Sequence, residues 1–287
     1  MSVKFLFKGL IFMCLLTAVM VAPVFANVEK NSEKPTIVLV AFGTSVDTAR
    51  PVFEYIDKQA RKRYADYDIH WAFTSQFIID KLKKQGVVTQ SVAEVITELR
   101  KNGVKSVVFQ SLHVVPGQEY RSVLAEDTSG FEVAFGAALM SSDNDIDAVI
   151  TALGKDIKVQ QPTVIVAHGN DHHPEFNQQL VALADVIEKK YPNLVVASVE
   201  GRPGVGPLER VKVLSAEQGS VNFVPLMIVA GDHVMNDVMG DEEESWKSII
   251  QAKKSECAPS LGWNNAILEI YFGHLDSALQ QLDKGRG

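Results

Sequence analysis

The sequence predicts an α/β protein built from two similar Rossmann-like halves, each with a parallel sheet flanked by helices, and an active-site cleft between them. Three observations lead to this prediction. Apolar runs of strand length alternate with amphipathic stretches of helical length, which is typical of parallel sheets covered on both faces. The order of elements starts again after the polar connector Lys155 to Gln161. Similar short segments also recur at equivalent places in the two copies.

The first residues have the pattern of an export signal. Lys4 and Lys8 precede an apolar block, and Val24 and Ala26 place small residues before a cleavage point. The apolar block, Leu10 to Val21, is too short to span a membrane comfortably. We therefore expect a signal peptide at 1–26, an N-terminal half at 27–158 and a C-terminal half at 159–287. The mature protein is expected in the periplasm without a stable membrane anchor.

The charge balance and the cysteine content limit the partners and the compartment chemistry. Loss of residues 1–26 removes two of the 28 basic residues and none of the 35 acidic ones, which changes the net charge from −7 to −9. An acidic surface disfavours nucleic acid as a partner. Of the two cysteines only Cys257 remains, so no intrachain disulfide can form. A core of the size expected for about 260 residues must stabilise the chain.

The N-terminal half begins with an unbroken apolar run from Thr36 to Phe42, which predicts a buried strand. Helical spacing follows over Thr48 to Tyr64, where Asp47 can cap the helix and Pro51 fits its first turn. The other predicted elements of this half are a strand at Ile69 to Phe73, a helix capped by Thr74 or Ser75 and ending at Leu82, a helix at Ser91 to Lys101, strands at Val104 to Leu112 and Phe131 to Ala137, and a helix near Asp143 to Leu153.

The C-terminal half repeats this alternation. Its predicted strands are Thr163 to Ala167, Leu194 to Val199, Val221 to Val229 and Ala266 to Tyr271. Its predicted helices are Pro174 to Lys190, Leu208 to Gln218, one opened by the acidic run at Asp241 to Glu244, and His274 to Leu282. Acidic residues are favourable in the first turn of a helix because they face the positive end of its dipole.

Two apolar runs end in polar residues that point to a binding site. The run from Phe223 stops at Gly231 and is followed by His233, and the run before Ala167 is followed by His168. The carboxyl ends of parallel strands are the ligand-binding edge of an open α/β sheet. Together with Glu200, which follows another strand, these residues suit Co, Ni, Fe or Zn. The alternative is that each histidine only completes a turn.

Alignment of the two halves predicts that the metal ligands lie on one side only. Val40 to Gly43 matches Val166 to Gly169, and the same offset places Thr74 on Glu200. Phe109 to Leu112 matches Phe223 to Leu226, which places Glu119 on His233 and His113 on Met227. The N-terminal half thus offers Phe42, Thr74 and Glu119 where the C-terminal half offers the ligand types.

The other histidines are assigned more simply. His172 and His173 lie in the loop after His168. They either take part in the metal site or are simply exposed to solvent, and both alternatives stay open. His113 ends a strand, whereas His70 lies within one and is interpreted as structural. His274 begins a predicted helix, which gives no reason to assign it a function.

At these residues the chain resembles the class II chelatases, specifically the anaerobic sirohydrochlorin cobaltochelatases. The matching stretches are Phe42 to Ser45, Ala72 to Ser75, Gln110 to His113, His168 and Gly169 with His172 and His173, Val199 and Glu200, Pro225 to Met227, Ala230 to His233, Asn236 and Asp237, and Ser245 and Trp246. The resemblance covers nearly the whole chain after residue 26. It implies two Rossmann-like halves around a tetrapyrrole cleft, with His168 and His233 binding the metal and handling pyrrole protons and Glu200 assisting.

The resemblance also implies the ligands. The substrates are expected to be sirohydrochlorin and a divalent metal, cobalt or alternatively iron. The residues expected to contact the tetrapyrrole are Phe42, Thr44, Ser45, Phe73, Thr74, Glu119 and Arg202, with Trp71, Arg50 and Arg121 as further candidates. Because most family members are cytoplasmic, the export signal leaves a rival hypothesis open: a periplasmic protein that binds and delivers metal or a tetrapyrrole such as haem, with His113 as axial ligand. Assembly into a homo-oligomer is a further open expectation.

Overall fold

The computed structural model describes residues 34–158 and 160–285. The predicted signal peptide lies outside these ranges. The described residues form one compact unit. Among the helices in the described ranges, none combines the length and the apolar character needed to cross a membrane.

The first sheet contains the strands of the N-terminal half, and all its pairings are parallel. Its strands are β1 (Thr36–Ala41), β2 (Ile69–Phe73), β3 (Ser106–Ser111) and β4 (Glu132–Gly136), in the order β2-β1-β3-β4. The two central strands, β1 and β3, are buried along their whole length. Their unbroken apolar composition is explained by cover on both faces.

The second sheet repeats the first. Its strands are β5 (Thr163–Ala167), β6 (Leu194–Ser198), β7 (Ser220–Pro225) and β8 (Lys254–Cys257), in the order β6-β5-β7-β8, again all parallel. The predicted fold class of two parallel α/β halves is therefore confirmed.

Helices follow most strands and cover the sheets. They are α1 (Pro51–Arg63), α2 (Gln76–Lys84), α3 (Val92–Lys101), α4 (Gln118–Leu124), α5 (Asp143–Leu153), α6 (Gln178–Lys190), α7 (Leu208–Gln218), α8 (Trp246–Ile250) and α9 (Asn265–Lys284). Short 3-10 turns lie at Pro174–Asn177 and Leu261–Trp263, and a π-helical turn lies at Val234–Val238. Ser75 caps α2 by accepting a hydrogen bond from the Ile78 N–H, as its position predicts. Asp47 does not cap α1; it pairs with Arg50 at 2.5 Å.

The predicted last strand at Ala266 to Tyr271 is wrong, because these residues belong to α9. The buried apolar residues of α9 are Ile267, Leu268, Tyr271, Phe272, Leu275, Ala278, Leu279 and Leu282. They recur at the three- and four-residue spacing of one helix face. The fourth strand is instead Lys254–Cys257, which is polar because it lies at the edge of the sheet. A short, charged edge strand discourages pairing with other chains.

The predicted strand from Val221 to Val229 is also too long, because β7 ends at Pro225. Leu226 still donates its N–H to the Val166 carbonyl at 2.7 Å, after which the chain leaves the sheet. A proline cannot donate to the ladder and favours the end of a strand. The segment before His233 is therefore a loop.

Helix α9 comes from the C-terminal half of the chain and packs on the first sheet, against β3 and β4. The Tyr271 hydroxyl donates to the Leu112 carbonyl at 2.9 Å. His274 lies inside α9 and pairs with Asp145 at 3.0 Å, which supports its structural interpretation. The largest buried cluster combines side chains from both halves. The halves are thus joined by a shared core.

Candidate metal centre

Three metal-ligand side chains converge at the carboxyl edge of the second sheet. His168 follows β5, Glu200 follows β6 and His233 lies in the segment after β7. One ligand atom from each lies within 4.8 Å of the others. Ligand atoms around one ion, bonded at about 2.1 Å, are about 3–4 Å apart, so small side-chain rotations are enough to place all three on a shared ion.

The two histidine rings are close and mutually perpendicular. Their centroids are 4.7 Å apart at an interplanar angle of 90°. The Nδ1 atom of His168 lies 4.0 Å from the Glu200 carboxylate. A pair of imidazoles with one carboxylate is a donor set for divalent transition metals.

Backbone contacts place the loop after β5 against the loop after β6. The Glu200 N–H donates to the His168 carbonyl at 2.8 Å. Gly169 has φ +79°, and a Cβ at this position would lie 1.7 Å from the Glu200 carbonyl oxygen. Glycine is therefore required at 169 for both its backbone conformation and the close approach.

A second set of contacts ties these loops together. The Asp171 carboxylate accepts a hydrogen bond from the Gly201 N–H at 2.5 Å. The buried Asn177 side chain donates to the Asn170 carbonyl at 2.8 Å. His168 and Glu200 are consequently held in register by the protein itself.

His233 is carried by a helical turn with one buried side. Val234 and Val238 are 4% and 0% exposed and anchor the turn, and the Met239 N–H donates to the Val234 carbonyl at 3.0 Å, five residues back. The outward side presents His233 and Asp237, whose Nδ1 and Oδ2 atoms are 2.6 Å apart. From the sequence, Asp237 was named only among the stretches that resemble the chelatases, and this pairing was missed. The sequence did contain a signal for it: His233 and Asp237 are four residues apart, as are the apolar residues Val234 and Val238 that follow them. This spacing is typical of side chains that meet on one face of a helix.

The hydrogen-bond partners favour one tautomer of each neutral ring in these orientations. Nδ1 of His168 lies 2.8 Å from the Gly169 carbonyl oxygen, and Nδ1 of His233 faces a carboxylate. Both partners accept hydrogen bonds, so in the neutral ring Nδ1 carries the hydrogen and Nε2 carries the lone pair. Both Nε2 atoms are thereby suited to bind metal.

The centre is open to solvent. The side chains of His168, Glu200 and His233 are 46%, 37% and 38% exposed. Structural zinc sites close their coordination with four protein ligands, whereas three ligands leave positions for exchange. The arrangement suits a metal that is bound and then released.

The strand register corrects one predicted correspondence between the halves. The Ser75 N–H donates to the Phe42 carbonyl at 3.2 Å, just as the Glu200 N–H donates to the His168 carbonyl. Ser75 is therefore the counterpart of Glu200, and the prediction of Thr74 was displaced by one residue. A single offset cannot be carried across loops of unequal length.

The correspondence between Glu119 and His233 agrees with the local geometry. Gly117 and Gly231 each lie directly before a helical segment. Glu119 is the second residue after Gly117, and His233 is the second residue after Gly231. A Cβ at Gly231 would lie 3.2 Å from the Thr44 hydroxyl oxygen. The two halves therefore approach each other beside His233, and Thr44 lies in this region.

The remaining predicted substrate residues differ in accessibility. Phe42 is 45% exposed, Arg202 is exposed, and Ser45 and Glu119 are half-buried. Phe73 and Trp71 pack against Phe53 of α1, with ring centroids 5.5 and 5.6 Å away. Phe42 is thus the exposed aromatic ring of this set.

Two arginines predicted as further contacts for the tetrapyrrole already have partners within the protein. Arg50 pairs with Asp47, yet its Nη1 atom is buried and has no hydrogen-bond partner within the described ranges. The Arg121 guanidinium lies 4.7 Å from the centroid of the Phe176 ring. The contact of Arg121 with Phe176 joins the N-terminal half to the C-terminal half.

His113 lies in the N-terminal half and is held by two hydroxyl groups. Ser111 Oγ is 2.9 Å from its Nδ1 and Thr74 Oγ1 is 3.3 Å from its Nε2. Burial lowers the pKa of His113 to about 4. Binding of haem iron would require the ring to give up one hydroxyl partner, and this role stays a prediction.

The adjacent histidines and His70 have separate surroundings. His172 is exposed, and His173 lies 3.4 Å from the Glu175 carboxylate. His70 lies within β2 with Asp68 at 3.7 Å, in keeping with a structural residue.

Known proteins share both the sequence pattern and the architecture. The family model described as Cobalt chelatase (CbiK) matches residues 35–280. The sirohydrochlorin cobaltochelatase of Salmonella typhimurium strain LT2 is 31% identical over 259 residues, covering 86% of this chain and 97% of that protein. The sirohydrochlorin cobaltochelatase CbiKC of Nitratidesulfovibrio vulgaris strain Hildenborough is 28% identical over 266 residues, covering 87% and 92%.

Solved chelatase structures have the same fold at low sequence identity. The sirohydrochlorin chelatase SirB of Bacillus subtilis subspecies spizizenii, in complex with cobalt, superposes with a TM-score of 0.60 at 11% identity, covering 86% of this chain and 96% of that one. CbiX, described as the terminal enzyme for the biosynthesis of sirohaem in denitrifying bacteria, gives a TM-score of 0.52 at 12% identity, covering 85% and 99%. With the family match spanning nearly all described residues, this chain belongs to the cobalt chelatase (CbiK) family of enzymes.

Proposed function

We propose that this protein inserts Co(II) into sirohydrochlorin. The observation that carries the proposal is the convergence of His168, Glu200 and His233 at one sheet edge, within 4.8 Å of one another. It is supported by membership of the cobalt chelatase family and by two relatives named sirohydrochlorin cobaltochelatases.

Metal insertion exchanges bonds in a balanced way. The macrocycle loses two pyrrole N–H protons and gains bonds from its four nitrogens to the metal. As each histidine releases Co(II) to the macrocycle, its Nε2 lone pair becomes free and takes a pyrrole proton. Two histidines match two protons, and Glu200 balances the charge of the ion while it is held.

The two halves supply different surfaces for this reaction. The ligands lie on the C-terminal side, and the exposed Phe42 ring lies on the N-terminal side, where it can contact the apolar face of a macrocycle. Sirohydrochlorin carries many carboxylates, and the donors proposed for them are the exposed Arg202 and the Arg50 Nη1 atom, which has no hydrogen-bond partner among the described residues. The contacts proposed for Thr44, Ser45, Thr74 and Glu119 lie on the same side.

The metal is proposed to be cobalt, with iron as the alternative. Imidazole and carboxylate ligands accept both ions, and the intrinsic affinity difference between Fe(II) and Co(II) is modest. Comparison of insertion rates with the two ions under anaerobic conditions would decide between them.

The decisive experiment uses the protein from Asn27 onward with metal-free sirohydrochlorin and Co(II), followed by absorbance. We expect conversion to the cobalt product at a rate that depends on protein concentration. No conversion above the protein-free rate would refute the proposed activity.

A periplasmic carrier is the second candidate, favoured by the export pattern of residues 1–26 and by the solvent-open ligand set. In this case the protein would bind Co(II), sirohydrochlorin or haem tightly without turnover. Haem bound through His113 would give an absorption spectrum that changes in a His113→Ala variant. The same incubation therefore separates the two candidates.

Export itself is proposed from the sequence. The expected mature protein starts at Asn27, after Val24-Phe25-Ala26. N-terminal sequencing of protein from a periplasmic extract of the native host checks this, and an uncleaved chain in the cytoplasmic fraction would contradict it. Homo-oligomerisation stays a prediction that sedimentation analysis can test.

A further inference from the structure

The Asp237 side chain is paired with a metal ligand rather than with a cation. Its Oδ2 atom lies 2.6 Å from Nδ1 of His233, four residues earlier on the same helical turn. The neighbouring side chains Val234 and Val238 are buried and anchor this turn. The pairing is thus fixed by packing of the turn and by a short hydrogen bond.

We propose that Asp237 is a positioning residue for metal capture: it holds His233 with Nδ1–H toward its carboxylate and Nε2 toward the ion. This inference rests on the proposed function of the three ligands but concerns only the metal-binding step. A carboxylate behind a ligating imidazole fixes the ring orientation and increases the electron donation of the ring to the metal.

The two histidines of the centre differ in this respect. At Nδ1 of His168 the hydrogen-bond acceptor is the neutral carbonyl of the adjacent Gly169 at 2.8 Å, and the Glu200 carboxylate lies farther away at 4.0 Å. His233 has a charged acceptor, and hydrogen bonds to ionised groups are about twice as strong as neutral ones. His233 is therefore the more strongly oriented ligand, although its turn lies in a long segment after β7.

A nearby residue provides a matched control. Asp232 accepts a hydrogen bond from the Asn236 side chain at 2.8 Å. It belongs to the same segment and carries the same charge, and its partner is not a metal ligand. Asp232→Asn therefore removes one negative charge beside the centre without removing the support of His233.

The test measures Co(II) affinity by titration in the absence of tetrapyrrole, together with the Co(II) absorption spectrum. Variants are Asp237→Asn, Asp237→Ala, His233→Ala, the double variant Asp237→Ala with His233→Ala, and Asp232→Asn. We expect Asp237→Ala to weaken Co(II) binding by about 10- to 100-fold and to shift the visible absorption bands. Asp237→Asn keeps an acceptor without the charge, so a smaller loss is expected. Asp232→Asn should change the affinity by less than about threefold.

The double variant distinguishes action through His233 from independent action. If Asp237 works through His233, Asp237→Ala has no further effect once His233 is removed. Additive losses, equal losses in Asp232→Asn and Asp237→Asn, or wild-type affinity in Asp237→Ala would each overturn the proposal. Because these titrations need no turnover, a failure here leaves the chelatase assay of the wild-type protein as an independent result.

Discussion

Both sheets of the described chain have the same strand order, yet equivalent positions at their carboxyl edges carry different chemistry. Where the second sheet presents His168, Glu200 and His233, the first presents an aromatic ring, a hydroxyl and a carboxylate. These counterparts are Phe42, Ser75 and Glu119. The two halves thus share a fold but carry different side chains at the carboxyl edges of their sheets.

The difference has a physical reason in the chemistry of metal insertion. A planar macrocycle has two faces, and the ion needs to arrive from only one of them. Strong ligands on both faces would compete with the four macrocycle nitrogens for the metal and slow its release. Under the proposed function, the exposed ring of Phe42 on the other side would bind the macrocycle without holding the ion.

The largest difference in chelation rate is expected between two separate variants, one at His233 and one at its counterpart Glu119. His233→Ala removes a metal ligand and a proton acceptor together, and loss of a positioned base alone typically costs about 100-fold or more in rate. Glu119→Ala should reduce turnover much less, because Glu119 is not part of the ligand group formed by His168, Glu200 and His233. Steady-state chelation rates with Co(II), with a binding titration of metal-free sirohydrochlorin, measure both.

Wild-type turnover in His233→Ala, or equal losses in the two variants, would show that the halves do not divide the work in this way. Retained macrocycle binding in His233→Ala is the internal control. It separates loss of chemistry from loss of the fold or of the substrate site.

Glu200 and Ser75 provide a second matched pair, defined by the corrected register. Glu200→Gln removes a charged ligand and should weaken Co(II) binding by at least about tenfold, as changes at metal sites commonly do. Ser75→Ala removes the cap of α2 and should lower the free energy of unfolding by about 1 kcal/mol while leaving Co(II) affinity unchanged. Metal titration and urea unfolding of both variants test whether Glu200 serves metal binding and Ser75 serves stability. A loss of affinity in Ser75→Ala would contradict it.

His113 and its counterpart Met227 differ in their response to acid. In the folded chain the pKa of His113 is lowered to about 4 by burial, from about 6.5 when unfolded. Protonation therefore favours the unfolded state, so its contribution to stability is complete above about pH 6.5 and is lost as the pH falls toward 4. The shift corresponds to at most about 3 kcal/mol, less with solvent screening of this half-buried residue.

The measurement is urea unfolding at pH 7 and at pH 4.5 for the wild type and for His113→Met. The variant should lose less stability between the two pH values, and the difference between the two proteins isolates His113 from the titrating carboxylates. The same pH dependence in both proteins would remove His113 from this role.

The smallest expected effect concerns the helix that crosses between the halves. Tyr271→Phe removes the hydroxyl that donates to the Leu112 carbonyl and should cost about 1 kcal/mol of unfolding free energy. Chelation at moderate temperature should be unchanged, because the hydroxyl of the buried Tyr271 donates to the backbone carbonyls of Leu112 and His113 and not to a metal-ligand side chain. A single unfolding transition in both proteins is expected, since α9 and the first sheet share one core; two separated transitions would contradict this.

The local patterns in the sequence were enough to predict much of the fold. Central strands such as β1 and β5 appear as unbroken apolar runs because parallel sheets are covered on both faces. The cap at Ser75 was also visible locally. The main errors fell on β8, a polar edge strand, and on the start of α9, where a dense apolar run was interpreted as a strand. The end of β7 and the cap of α1 were also predicted wrongly.

The candidate ligands could be named from the sequence because strand ends in parallel sheets meet at one edge. Their mutual distances, the pairing of His233 with Asp237 and the counterpart of Glu200 could not. These depend on the register of the strands and on the paths of loops of unequal length. The placement of Phe73 and Trp71 against Phe53 likewise became visible only in the packed structure.

The sequence by itself thus determined the alternation of elements, the doubling of the fold and the residue types at the carboxyl edges. Each of these follows from local periodicity and from a topological rule. Only the tertiary structure decided that α9 covers the first sheet, that Ser75 rather than Thr74 opposes Glu200, and that Asp237 supports His233. These outcomes depend on which apolar surfaces remain to be buried and on how side chains from distant segments pack together, and residue order alone does not specify either.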